Sequence, residues 1–324
     1  MTTFFDRDVR KQLTRLLTKC TAKLNVFYYC LTLTRFIMTY QKIGVVLSAL
    51  LITVFSYAQD TKSLLYEVSG NDLSAPSYVF GTIHLMCPDD IQISEAVKQK
   101  VGASEQLVLE LDLDEPNIMQ EMQQKVMLPE GKTLRDMMSA EDYSTISAFL
   151  QDSLMTPISA VERFSPVALY SMLAMQMLHC QPGSYEMSLI QLAKADQKEV
   201  TGLETIDEQL AAFNQISEEE QVDYLTETIE EYDEATSEFQ QLLEAYQAQD
   251  VDQLYELSQE TMDEVEGMEQ HLLINRNEAW VPKMASLMKE QPTFFAVGAG
   301  PLGGEHGLLE LLEEQGYTVT PVAN

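Results

Sequence analysis

The sequence predicts an α/β fold: a central mixed β-sheet with helices packed around it and a long acidic helical insertion in the middle. Three observations predict it. Short apolar runs separated by turn residues open the region after residue 62, and a run with a period of two follows near residue 110. The C-terminal segment then returns to a strand, a glycine-rich loop, a helix and a strand. Of the 324 residues 45% are apolar, which suits a globular chain and excludes a disordered, collagen-like or coiled-coil one.

Charge divides the chain before any element is assigned. Residues 1–58 hold eight basic residues and two acids, Asp6 and Asp8, leaving 12 basic and 49 acidic residues for the rest. Met38 makes a better start than Met1, so residues 1–37 are expected to be an untranslated or disordered extension. Residues 38–58 read as a signal peptide: Lys42, the apolar run Ile43 to Phe55, then the small residues Ser56 and Ala58 before Gln59. The rival reading, a membrane anchor, needs about 20 apolar residues, which this run does not reach. The mature domain, residues 59–324, is therefore expected in a periplasm or secreted, with no stable membrane insertion once the leader is gone. A formal net charge of -31 argues against a nucleic-acid partner, whose phosphates are held by clustered Lys and Arg. Only Cys87 and Cys180 follow the leader. In an oxidising compartment they make either one bridge or two buried thiols.

Leu64 to Val68 and Ser77 to Phe80 read as strands joined by the turn-rich stretch Gly70 to Pro76, an opening hairpin. A helix is expected over Ser94 to Gly102. The run Gln106 to Asp114 then alternates, which in a strand puts Leu107, Leu109, Leu111 and Leu113 on one face and Glu110, Asp112 and Asp114 on the other. Helices are expected at Ala140–Gln151, Pro166–Cys180 and Ser184–Ala195, a strand at Glu199–Leu203, and a capping box at Thr205 and Glu208. Between Lys198 and Arg276 no basic residue occurs, while positions 205–270 carry 21 acids. Spacings such as Val222, Leu225 and Ile229 mark amphipathic helices with an acidic solvent face, the insertion of about 205–292. A strand at Thr293–Val297, a loop over Gly298–Gly307, a helix at Leu308–Glu314 capped by Gly316 and a strand at Tyr317–Val322 close the domain.

Two histidines, His84 and His306, sit where a strand feeds a glycine-bearing loop, the place from which α/β folds present functional groups. Glu110 lies deep in an apolar run and Glu204 immediately before a helix start, so both are placed at strand ends. Arg276 is the lone cation after a long acidic stretch. No P-loop, dinucleotide fingerprint, Gly-x-Ser-x-Gly elbow or His-Glu-x-x-His helix occurs.

Taken in order, Gly81-Thr82-Ile83-His84, Leu109-Glu110-Leu111-Asp112, Gly202-Leu203-Glu204-Thr205, Arg276-Asn277-Glu278-Ala279-Trp280 and the closing Phe295 to Gly300 with Leu308 to Leu312 resemble the TraB/GumN family, which is related to the Tiki metalloproteases. The resemblance covers residues 62–323. It implies an exported hydrolase dependent on a divalent metal (Mn, Co or Zn), most simply a peptidase, with a peptide or small-molecule ligand. Its site uses two Gly-x-x-His motifs and an intervening glutamate. Carried over, the first motif gives His84 and the intervening glutamate is Glu110; the expected site has His84, Glu204 and His306 as metal ligands, His306 substituting for the second-motif histidine by a fold-back of its loop, with Glu110, Arg276 and Asn277 catalytic: Glu110 takes the proton of a metal-bound water and Arg276 stabilises the oxyanion. The second motif departs from the pattern, because Pro301 stands where Gly298-Ala299-Gly300 should be followed by His. The alternative is a catalytically inactive peptide-binding or sequestering protein of the same fold.

Overall fold

Six strands form one sheet within residues 62–324, the part of the chain that the computed structural model describes. The expected extension and signal peptide lie outside the described residues. The strands are β1 (Leu65–Gly70), β2 (Ser77–Thr82), β3 (Gln106–Leu109), β4 (Glu199–Gly202), β5 (Thr293–Gly298) and β6 (Tyr317–Pro321). They lie in the order β4-β3-β5-β2-β1-β6. Neighbours among β4, β3, β5 and β2 are parallel, and β1 is antiparallel to both β2 and β6. The carboxyl ends of four adjacent strands therefore share one edge.

Among the described residues twelve α-helices surround the sheet: α1 (Glu95–Ala103), α2 (Ile118–Lys125), α3 (Ala140–Leu154), α4 (Ile158–Val161), α5 (Pro166–Met177), α6 (Tyr185–Ala195), α7 (Ile206–Phe213), α8 (Glu218–Glu230), α9 (Tyr232–Gln247), α10 (Val251–Asp263), α11 (Asn275–Glu290) and α12 (Leu308–Glu314). The sequence sets many of their starts. Ser94 accepts from the Val97 N–H at the head of α1, and Thr205 and Glu208 form the expected reciprocal box at the head of α7.

One expectation is corrected. The alternating run stops being a strand at Leu109, and all four residues of β3 are buried. A parallel strand between two others, covered on both faces, has no wet side for the alternation to mark. Beyond it, Leu111 packs with Ile118 and Ile206 in a small separate cluster.

The acidic stretch is not set apart from the sheet. Tyr246 from α9 and Trp280 and Met284 from α11 belong to the same buried cluster as Phe80, Leu107 and Phe294. A second cluster, with Ile146, Leu150, Leu169, Leu173, Leu225 and Ile229, joins α3, α5 and α8. Each such side chain contributes about 1.5–3 kcal/mol of burial, so the acids occupy only the outward faces of helices whose inner faces hold the fold together.

Candidate active site

Two ionic groups gather at the carboxyl ends of the parallel strands. The first is built on Arg276. Glu110 follows β3 directly and Glu204 lies two residues past β4. The bonds Leu203 N–H to Leu109 O (2.8 Å) and Glu204 N–H to Glu110 O (2.9 Å) extend the ladder beyond both strands and set the glutamates side by side. A π-helical turn, Gln270–Ile274, runs straight into α11, and its wider register shifts every position that follows it. Arg276, near the start of α11, brings its guanidinium between the two carboxylates: Nη2 donates to Glu110 Oε2 (2.6 Å) and Glu204 Oε1 (2.7 Å), and Nε to Glu204 Oε2 (3.2 Å). Nη1 donates to the Leu272 carbonyl (2.9 Å). Four of the five guanidinium N–H groups are thus committed inside the protein.

Both glutamates are buried, and their oxygens accept further hydrogen bonds, which fill the four acceptor positions of Glu204 and leave one free on each oxygen of Glu110. Glu110 Oε1 accepts from the Gly298 N–H at the end of β5 (2.7 Å). Glu204 accepts from Trp280 Nε1 (3.1 Å) and Gln209 Nε2 (3.1 Å). The Trp280 ring also lies under the guanidinium, 4.6 Å from its carbon. Burial works against the charge on Arg276, but Glu110 and Glu204 hold it protonated more firmly than usual.

The second group is built on His84. Its Nδ1 lies 2.9 Å from Oε1 of Glu186, a residue in the first turn of α6 that the sequence did not single out. Thr82 Oγ donates to the same oxygen (2.8 Å) and Ser184 Oγ to Oε2 (2.6 Å). The loop carrying His84 is pinned to the lead-in of α6 by the Met86–Gly183 bridge and by a Cys87–Cys180 disulfide, the first of the two states left open for these cysteines. Glu186 is buried while the imidazole is 64% exposed. Burial would lower the imidazole, but the Glu186 hydrogen bond and the charges of Glu110 and Glu186 outweigh it and push it up to about 9. For Glu186, burial would raise the carboxyl, and the His84 and Ser184 hydrogen bonds with the His84 charge hold it down at about 2.

The glycine-rich loop closes the edge. A Cβ on Gly298 would lie 3.2 Å from Glu110 Oε1 and 3.4 Å from Pro301 Cδ, so the proline ring stands against the same glycine as the glutamate. Asn277 is fully buried, and its Nδ2 donates to the carbonyls of Pro301 (3.0 Å) and His306 (2.9 Å). Asn277 thus clamps the loop backbone. The His306 side chain is exposed, and only its carbonyl is tied to the site.

The sequence-predicted residues are therefore brought together unequally. Glu110, Glu204 and Arg276 touch, and His84 feels the charges of Glu110 and Arg276 while bonding Glu186. No three His, Cys, Asp or Glu side chains among the described residues gather so as to hold a metal ion. The donors that the resemblance assigns do not fit one: N–H groups take all four acceptor positions of Glu204 and one on each oxygen of Glu110, the Arg276 cation already offsets one of the two carboxylate charges, and Pro301 offers no donor. Glu186 escaped the sequence because nothing near it in the chain names its partner. A glutamate in a helix's first turn just after a half-cystine and a Pro-Gly-Ser turn is the signal that was available.

The charged cluster lies at the carboxyl ends of the parallel strands of an α/β sheet, the edge at which open sheets of this class place their functional groups. The chain belongs to the TraB/PrgY/gumN family, whose sequence profile matches residues 64–321. It is similar to metalloprotease TIKI2 of Danio rerio (23% identity over 316 residues, 81% of this chain and 61% of the relative) and to metalloprotease TIKI1 of the same organism (22% over 314 residues, 80% and 63%). Metalloprotease TIKI2 of Xenopus tropicalis is 22% identical over 316 residues, 81% of this chain and 60% of its own. The chain thus spans about three fifths of the length of these relatives. No solved structure gives a significant match.

Proposed function

We propose that this chain is an exported, periplasmic or secreted protein that keeps the fold of a metalloprotease-like family and captures a peptide or peptide-like small molecule without metal-dependent cleavage. The observation that carries this reading is the Arg276 guanidinium seated between Glu110 and Glu204, with Pro301 beside them. A divalent cation competing for those oxygens must break several hydrogen bonds and face a buried positive charge. The leader-like segment and the disulfide support export. Among the described residues no helix is long and apolar enough to cross a membrane.

Purified protein titrated with Mn²⁺, Co²⁺ and Zn²⁺ tests the reading, alongside incubation with a casein digest followed by mass spectrometry. The expected result is retention of peptides at unchanged length and no stoichiometric metal. One equivalent of bound metal, with cleavage that His84→Ala abolishes, would overturn it.

A second reading, a hydrolase, is favoured by the His84–Glu186 pair: an exposed imidazole oriented by a buried carboxylate is an acid–base arrangement. With its pKa at about 9 the ring is protonated at neutral pH. In that reading His84 serves as proton donor to a leaving group.

A further inference from the structure

A cavity of about 480 Å³ opens among α5, α8, α9 and α10, within the usual size range of small-molecule sites. Its wall is apolar and largely half-buried: Val167, Tyr170, Tyr224, Phe239, Leu242 and Leu257 face it. Its mouth is acidic. Glu227, Glu231, Glu238 and Glu264 line it, are exposed, and have no ion-pair partner among the described residues. Burial, with the charges of Glu238, Glu227 and Glu231, raises the Glu264 carboxyl, so the four lie close enough to repel.

We infer that this cavity binds a hydrophobic cation, its apolar body against the aromatic and leucine wall and an ammonium or guanidinium at the glutamate mouth. Apolar area supplies the attraction, and the unneutralised mouth supplies the sign selectivity, since a cation relieves repulsion that an anion worsens. The cavity adjoins the strand-end site. Ser258, in its wall, lies against Gly300 of the glycine-rich loop, 3.3 Å from where a Cβ would be. Leu272, also in its wall, gives the carbonyl that holds Arg276. The inference deepens the capture reading and rests on it: a peptide or peptide-like molecule with an apolar side chain next to a Lys, an Arg or a free amino terminus is the class of ligand it names.

Calorimetric titration of the purified protein with its disulfide intact would use decylammonium, decanol and decanoate as probes. Decylammonium is expected to bind at least tenfold tighter than decanoate, with the gap closing as salt is raised. The triple variant Glu231→Gln, Glu238→Gln, Glu264→Gln, which leaves Glu227, Glu234 and Glu260, should cut the advantage of decylammonium over decanol at least threefold while moving decanol less than twofold. Leu257→Trp should weaken all three probes, and Ala174→Trp blocks the cavity from the α5 side should the first variant not fold. Equal affinity for cation and anion, or a cation preference that the triple variant leaves undiminished, would overturn the inference, as would no binding of any probe. The metal titration and the peptide-length assay read neither quantity, so the capture reading and this one fail separately.

Discussion

Although 102 positions separate them in the chain, His84 and Glu186 meet at 2.9 Å, one ring exposed and one carboxylate buried. The two titrations bracket the pair. The imidazole is raised from 6.5 to about 9, so its contribution is complete below 6.5 and lost as pH rises through 9. The carboxyl is lowered from 4.5 to about 2, so its contribution is complete above 4.5 and lost as pH falls through 2. Exposure of the ring lets water screen part of this. An NMR titration should place the His84 midpoint above 6.5 and no higher than about 9, and Glu186→Gln should return it towards 6.5. A wild-type midpoint at 6.5 contradicts the pair.

Removing Arg276 strands two buried carboxylates. Arg276→Ala is expected to cost about 3–5 kcal/mol in urea denaturation, with Glu110→Gln recovering part of the loss in the double variant. A loss under about 1 kcal/mol, the size of an exposed pair, would show that water reaches the cluster.

Asn277 should discriminate between substitutions by sign of charge. Asn277→Ala removes two donors from the loop carbonyls, a loss of about 1–3 kcal/mol. Asn277→Asp turns an acceptor towards those carbonyls and is expected to be worse than alanine. Thermal melts of the two variants check the order.

The disulfide holds the His84 loop to α6 across 93 positions. Cys87→Ser with Cys180→Ser is expected to lose about 2–4 kcal/mol and to lower the His84 midpoint, because the loop no longer delivers the ring to Glu186. An unchanged midpoint would mean that the Met86–Gly183 bridge suffices.

Gly307 has no room for a side chain: a Cβ there would lie 2.2 Å from the Gly303 carbonyl oxygen and 2.4 Å from that of Leu302. Gly307→Ala must shift backbone at the head of α12, and a clear drop in melting temperature is expected. Gly102→Ala, where a Cβ meets nothing, is the matched control.

Local signals carried much of the fold. The Gly70–Pro76 turn, the Thr205–Glu208 box and the Gly316 cap lie within a few residues of what they specify, and the structure has all three. Glu110 was legible because an apolar run points to a buried strand end. The reading failed where the cause was distant: β3 is covered on both faces by elements far away in the chain, so its alternation meant nothing. For the same reason Glu186 was invisible and the guanidinium's position between two glutamates could not be read from Arg276 alone.

The sheet also sets an order of events for folding. β1 pairs with β6, and Ser63 Oγ donates to the Val322 carbonyl (2.7 Å), so the first strand is unfinished until the last has arrived. Contacts of such span form slowly. A nascent chain therefore stays open along that edge until β6 has been made, more than 240 positions after β1.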